Sequence, residues 1–173
     1  HIRGLSQIVD LCINATFSCS LALSKKEFIS AVTRYNMNNT TISGPGAKEI
    51  YKIYDILTNR NPKLAVVNTR IFSLASDELA HGLPISVWAL SPSDSQIDRF
   101  LLDISSLIPG VKQTKRRATA PTPNHNSMVN LIEIGPLGIL LGADLEEEGN
   151  ADTGWSGIIN NRDNQHNKSM IFK

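Results

Sequence analysis

Two apolar runs on either side of a glycine–proline pair constrain this chain more than any other feature. Met128-Val129-Asn130-Leu131-Ile132-Glu133-Ile134 and Gly138-Ile139-Leu140-Leu141 flank Gly135-Pro136. Short runs rich in branched apolar residues, joined by turn formers, read as a β-hairpin. Further strand-like stretches precede it. Leu64-Ala65-Val66-Val67 and Ile71-Phe72-Ser73-Leu74 are bridged by Asn68-Thr69-Arg70 into one long strand. After the turn at His81-Gly82-Leu83-Pro84, Ile85 to Leu90 alternates as another strand.

The remaining periodicity is helical. Leu5, Ile8, Val9 and Cys12 recur at three and four residues within Ile2 to Cys12, and Phe28, Ile29, Val32 and Tyr35 do so within Lys25 to Tyr35. Ser43-Gly44-Pro45-Gly46 breaks the chain before a third helix, Ala47 to Leu57, with Ile50, Tyr51, Ile53, Tyr54 and Leu57 inward. Ser91-Pro92-Ser93-Asp94 supplies a helix start, and the helix runs to about Leu107 before Pro109-Gly110. Val111 to Asn126 is polar, aperiodic and proline-containing, and reads as a long loop. Helices and strands mixed in this order indicate a single α/β (α+β) domain over residues 1–173.

Composition narrows the function classes. Among 173 residues, 17 Lys and Arg face 16 Asp and Glu, so a net charge of +1 gives no global attraction for nucleic acid or acidic membranes. The 41% apolar content is enough for a core. No apolar run approaches the roughly 20 residues that span a bilayer. Two cysteines, Cys12 and Cys19, make neither a disulfide framework nor a four-cysteine zinc site; Cys12 reads as core and Cys19 as a small thiol. The expected setting is cytoplasmic. The first residue is His1, and Ser169 to Lys173 reads as an apolar strand that stops without a turn. Both ends therefore read as interior sequence, and the chain as the central part of a larger domain.

Chemistry-bearing residues are few. Asp144 follows a strand that ends Leu140-Leu141-Gly142-Ala143, where small neighbours let a carboxylate project into a cleft and bind metal at about 2.0–2.2 Å. The alternative is a cap for the next element. Glu146, Glu147 and Glu148 read as a solvated acidic face. His1, His81, His125 and His166 are too far apart for a helical metal pair, and His125 reads as a loop residue just before the hairpin. Lys112, Lys115, Arg116 and Arg117 form a basic patch in the long loop, able to hold phosphate or simply to be solvated. Walker lysine loops, GxGxxG, nucleophile elbows and C-x-x-C pairs are absent from the sequence.

Taken together, several short segments resemble the metallo-β-lactamase fold superfamily, in the branch that includes the hydrolase-like domain of the bacterial DNA-uptake protein ComEC. His1-Ile2-Arg3-Gly4-Leu5 looks like the last histidine of H-x-H-x-D-H and its tail. Ala89-Leu90-Ser91-Pro92 resembles the V-L-S-P strand end, and Asn126-Ser127 the N-S step before the hairpin. Gly142-Ala143-Asp144-Leu145-Glu146 looks like the later G-D-x-E motif, with Ala143 where glycine is usual. Ser169 to Lys173 resembles the strand leading to H-H-G-S. The likeness spans nearly the whole chain.

The resemblance implies an αββα sandwich, incomplete in this chain, with a cleft at its strand ends. It implies His1 and Asp144 as metal ligands, Asp144 bridging a two-metal zinc site, with manganese as the alternative metal. Nucleic acid or a nucleotide would be the substrate, cleaved at a phosphodiester bond, with Lys115, Arg116, Arg117 and Asn126 toward the substrate. His1 and Asp144 alone supply two ligands where catalytic zinc uses about three, so this chain by itself is expected to be inactive and its parent active. The rival reading is a non-catalytic sandwich module that binds nucleic acid or a protein partner through the basic loop 111–126.

Overall fold

The computed structural model describes residues 3–24, 28–30, 45–76, 82–107, 123–161 and 171–172. In chain order these form α1 (Leu5–Leu11), β1 (Ser18–Ser20), a single helical turn α2 (Leu21–Ser24), α3 (Pro45–Leu57), β2 (Lys63–Ala65), β3 (Thr69–Leu74) and β4 (Ile85–Ala89). There follow α4 (Asp94–Leu107), a 3-10 turn (Pro123–Asn126), β5 (Asn130–Ile134), β6 (Leu137–Leu141), α5 (Gly154–Asn160) and β7 (Ile171–Phe172). The chain is thus mixed α/β. Its main sheet has the order β3-β4-β5-β6-β7; the first four strands are antiparallel, and β7 joins β6 in parallel. β1 and β2 make a separate parallel pair.

The hairpin forms as the sequence requires. Ile134 pairs with Leu137, so Gly135 and Pro136 are the whole turn. Gly135 has φ 54, and proline fixes the next φ near −65°, which is the pattern of a type II′ turn matched to strand twist. A Cβ at Gly135 would also stand 3.0 Å from Leu83 Cδ2.

Register decides which residues share a face. Trp88, Leu131 and Leu140 stand opposite one another, and Leu90, Val129, Leu145 and Ile158 complete the core on that side. Ile158 brings α5 onto the sheet there. Ala65, Ile71 and Ala89 make a second cluster with Val87 and Met128, and Val9, Ile53 and Leu57 a third between α1 and α3. Alternation along each strand therefore feeds small cores on separate surfaces.

Several expectations are corrected. Asn68-Thr69-Arg70 does not bridge one long strand. Asn68 takes φ 58, a left-handed conformation that asparagine tolerates, and β2 and β3 lie in different sheets. α1 buries Ser6 and Val9, but Cys12 is exposed and Ile8 is 58% exposed. Two turns of helix touch α3 along one narrow line, so the outer half of the apolar stripe is left in solvent. The third helix starts at Pro45, the first-turn position that proline favours. The helix expected over Lys25 to Tyr35 lies mostly outside the described residues.

The ends of α1 are held by side chains from the α3 side. Glu49 Oε1 accepts the Ser6 N–H at 2.8 Å, and Arg60 Nη1 donates to the Val9 carbonyl at 2.7 Å. Acid at the start and base at the finish complement the helix dipole. The start of α4 is a capping box: Ser93 N–H donates to Gln96 Oε1 at 2.8 Å, and Gln96 N–H to Ser93 Oγ at 3.3 Å.

Candidate functional site

One end of the main sheet gathers most of the described polar chemistry. There β4 finishes, β5 begins and β6 finishes, because Ala89, Asn130 and Leu141 lie in one cross-strand row. Ser91 is 1% exposed and ties this end together. Its Oγ donates to the Ser127 carbonyl at 2.6 Å and accepts the Val129 N–H at 2.8 Å, while Leu90 N–H reaches the Val129 carbonyl at 2.9 Å. The sequence places a small hydroxyl where β4 and β5 close on each other, and that one hydroxyl serves both groups.

Beyond that row, the 3-10 turn Pro123–Asn126 and the segment 142–153 face each other. Asn124 Nδ2 donates to Glu146 Oε1 at 2.8 Å. Gln96 Nε2, from α4, donates to the His125 carbonyl at 2.6 Å. Glu148 is the hub. Its side chain is 6% exposed and meets Arg99 Nη1 at 2.9 Å, Thr153 Oγ1 at 3.2 Å and His125 Nδ1 at 3.1 Å. Glu148 Oε1 is buried and accepts no hydrogen bond among the described residues, although His125 Nδ1 lies 3.1 Å away.

The acidic run is exposed at Glu146 and Glu147, as a solvated face would be, but Glu148 turns inward, and all three carboxylates have partners. Glu146 and Glu148 bind the turn, and Glu147 caps α5. Glu147 Oε1 accepts the Gly149 N–H at 2.8 Å and the Ser156 Oγ at 2.9 Å, and Oε2 accepts the Ser156 N–H at 2.8 Å. α5 can approach so closely because Gly154, at φ 60, has no Cβ; one would fall 2.5 Å from the Glu146 carbonyl oxygen. Trp155 Nε1 donates to the Leu145 carbonyl at 2.8 Å and seals the corner.

The Gly149 N–H, followed by the Ser156 N–H and hydroxyl, holds the Glu147 carboxyl below its ordinary value. A depressed carboxylate stabilises the fold above the free-glutamate value, and that contribution is lost as pH falls through the folded one. In an NMR titration, the Ser156 and Gly149 amide signals are expected to move together with a midpoint below that of free glutamate. A midpoint at or above it would show that Glu147 does not cap this helix in solution.

Of the expected site residues, the fold brings two segments together. Asp144 is exposed in the turn after β6, two residues before Glu146. Asn126 ends the 3-10 turn, and its Oδ1 is buried with no hydrogen-bond partner among the described residues. Through the Asn124–Glu146 and His125–Glu148 contacts, the segments carrying Asn126 and Asp144 are neighbours. His1, Lys115, Arg116 and Arg117 lie outside the described residues, as do His81, His166 and most of the loop 111–126. Among the described residues, no group of three or more His, Cys, Asp or Glu side chains is arranged to hold a metal ion. Of the metal ligands that the resemblance implies, Asp144 alone is described, so these residues do not by themselves fit a zinc site.

The His125–Glu148–Arg99 chain was not legible in the sequence. Arg99 and Glu148 are 49 residues apart, and no local spacing links them. Among the described residues, surface hollows also lie elsewhere. An apolar one of about 440 Å³ sits beside α3, lined by Leu5, Phe17, Ile53 and Leu57 among others. A polar one of about 420 Å³ lies at the hairpin end, beside Arg70, Ser86 and Glu133. Neither contains Asp144 or Asn126. Comparisons with protein-family models, curated proteins and solved structures return no match. No helix among the described residues is long and apolar enough to cross a membrane.

Proposed function

We propose that this chain is the central part of a metal-dependent hydrolase of the metallo-β-lactamase fold, ComEC-like in type, that cleaves phosphodiester bonds in nucleic acid or a nucleotide. The observation that carries the reading is the turn after β6. Ala143 there takes φ 49, the left-handed backbone that glycine favours, and Asp144 follows it beside the segment holding Asn126. A turn of glycine's shape thus persists at the position where the resembling motif has glycine. The succession β5–β6 hairpin, α5 and parallel β7 also agrees with an αββα sandwich.

In this proposal, Asp144 and His1 hold zinc or manganese, which would supply a Lewis acid for the phosphoryl centre. Lys115, Arg116 and Arg117 neutralise substrate phosphate, and Asn126 offers its amide. The cytoplasmic setting and the division at residues 1–173 belong to the same proposal.

Asp144→Asn tests it, because asparagine caps about as well as aspartate yet lacks the charge. In the whole polypeptide, bound zinc and hydrolysis of bis(p-nitrophenyl) phosphate are expected to fall by about 10²-fold or more, with the thermal midpoint nearly unchanged. Full metal content and full rate in the variant would leave Asp144 as a turn residue. Such a result would favour the rival, a non-catalytic module that binds through the loop 111–126.

A further inference from the structure

The hollow at the hairpin end is polar where the sheet pattern calls for apolar residues. Trp88 and Leu131 face the main core, and strand alternation puts Ser86 and Glu133 on that same face, one paired row nearer the hairpin turn. Register sets Ser73, Ser86 and Glu133 in one cross-strand row, and Arg70 opposite Trp88 beside it. The Glu133 carboxylate is fixed there: its Oε2 accepts from Ser86 Oγ at 2.8 Å and from Trp88 Nε1 at 2.8 Å. The Arg70 guanidinium lies over the same indole ring, 5.6 Å from its centroid. One ring thus stations a cation on its face and an anion at its N–H edge. No salt bridge joins the two, and Arg70 has no carboxylate partner among the described residues. Both side chains line the one hollow of about 420 Å³, together with Leu74, Pro84 and Ile85. That volume lies within the range of small-molecule sites.

We propose that this hollow binds a small monocarboxylate, with its carboxylate on the Arg70 guanidinium and a short aliphatic tail against Leu74, Pro84 and Ile85. The guanidinium fork matches two carboxylate oxygens, and stacking on Trp88 holds the fork in place. Glu133, set by Ser86 and Trp88, puts a negative charge in the same hollow. A second carboxylate, or a phosphate dianion, meets that charge and is disfavoured. Arg70 attracts anions, and Glu133 selects among them. The site lies at the opposite end of β5 from Asn130 and the segment 142–153, and it stands whether or not the hydrolase reading does.

The Trp88 indole N–H reports on the site, and Trp155, whose Nε1 donates to the Leu145 carbonyl, is an internal control. In ¹H–¹⁵N spectra of the full chain near neutral pH, at ionic strength held constant with NaCl, sodium butyrate is expected to shift the Trp88 signal saturably. The expected affinity is roughly millimolar, and Trp155 should stay in place. Succinate should bind about 10-fold more weakly than butyrate. Arg70 is exposed, so Arg70→Gln should fold normally and weaken butyrate binding by about 10-fold or more. Glu133→Gln keeps a side-chain carbonyl to accept from Ser86 and Trp88, and should bring succinate close to butyrate. A Trp88 signal that does not saturate by about 0.1 M butyrate overturns the proposal, as does butyrate affinity unchanged in Arg70→Gln. Succinate bound by the native chain as tightly as butyrate overturns the selection by Glu133, and so does a preference unchanged in Glu133→Gln. If Glu133→Gln fails to fold, the native ranking and Arg70→Gln still decide.

Discussion

Leu131→Ala is expected to cost about 2–5 kcal/mol of stability, the range for removing most of a buried leucine side chain. Leu131 is 2% exposed and lies in β5, between Trp88 and Leu140 on the flanking strands. The strands on both sides are hydrogen-bonded to β5, so the backbone cannot collapse into the space. The cavity term then adds to the lost transfer energy. For a chain of this size the thermal midpoint should drop on the order of 5–15 °C. Chemical denaturation at constant m-value would check it, and a loss below about 1 kcal/mol would mean that this sheet face is not the principal core.

Ser91→Ala is the second large effect. The hydroxyl serves a buried carbonyl and a buried N–H at once, at Ser127 and Val129. Alanine fits the space but leaves both groups unpaired, at about 1–3 kcal/mol each before relaxation. A loss of about 2–4 kcal/mol is expected on that basis. Faster amide exchange at Val129 should accompany it, because that N–H loses its acceptor. Ser91→Thr keeps the hydroxyl and should recover part of the loss. An alanine variant as stable as the native chain would mean that water serves both groups.

What was readable in the sequence was what local chemistry determines. The hairpin followed from Gly135-Pro136 and its flanks, because the turn type depends on two adjacent residues. The start of α4 was readable from Ser93, since a capping box needs only Gln96 three positions on. The misread features depend on partners that are distant in the chain. Cys12 fits the apolar spacing of α1, yet α3 contacts only the side that carries Val9. Glu146 and Glu147 are exposed as the acidic run suggests, but Glu148 is drawn inward beside Arg99 and His125, which are distant in the chain. Asn68 reads as a strand residue until its φ of 58 separates two sheets. At the candidate site, Asp144 and Asn126 were legible as isolated residues. That their segments adjoin, and that His125 lies beside Glu148, were not.

The Glu148 hub also bears on when the site can exist during folding. Its pair with Arg99 spans 49 residues, and the Gln96 bond beneath the His125 ring spans 29. Contacts this far apart carry the entropy of closing long loops and form only when other structure has shortened the path. Here the path is shortened by β4, β5 and β6, whose antiparallel pairing carries the chain from α4 round to the segment 142–153. The hairpin can form early from neighbours in sequence; the hub must wait for the third strand. A nascent or half-folded chain therefore keeps Glu148 apart from Arg99 and His125, and any chemistry at this end of the sheet begins only after the sheet has closed around it.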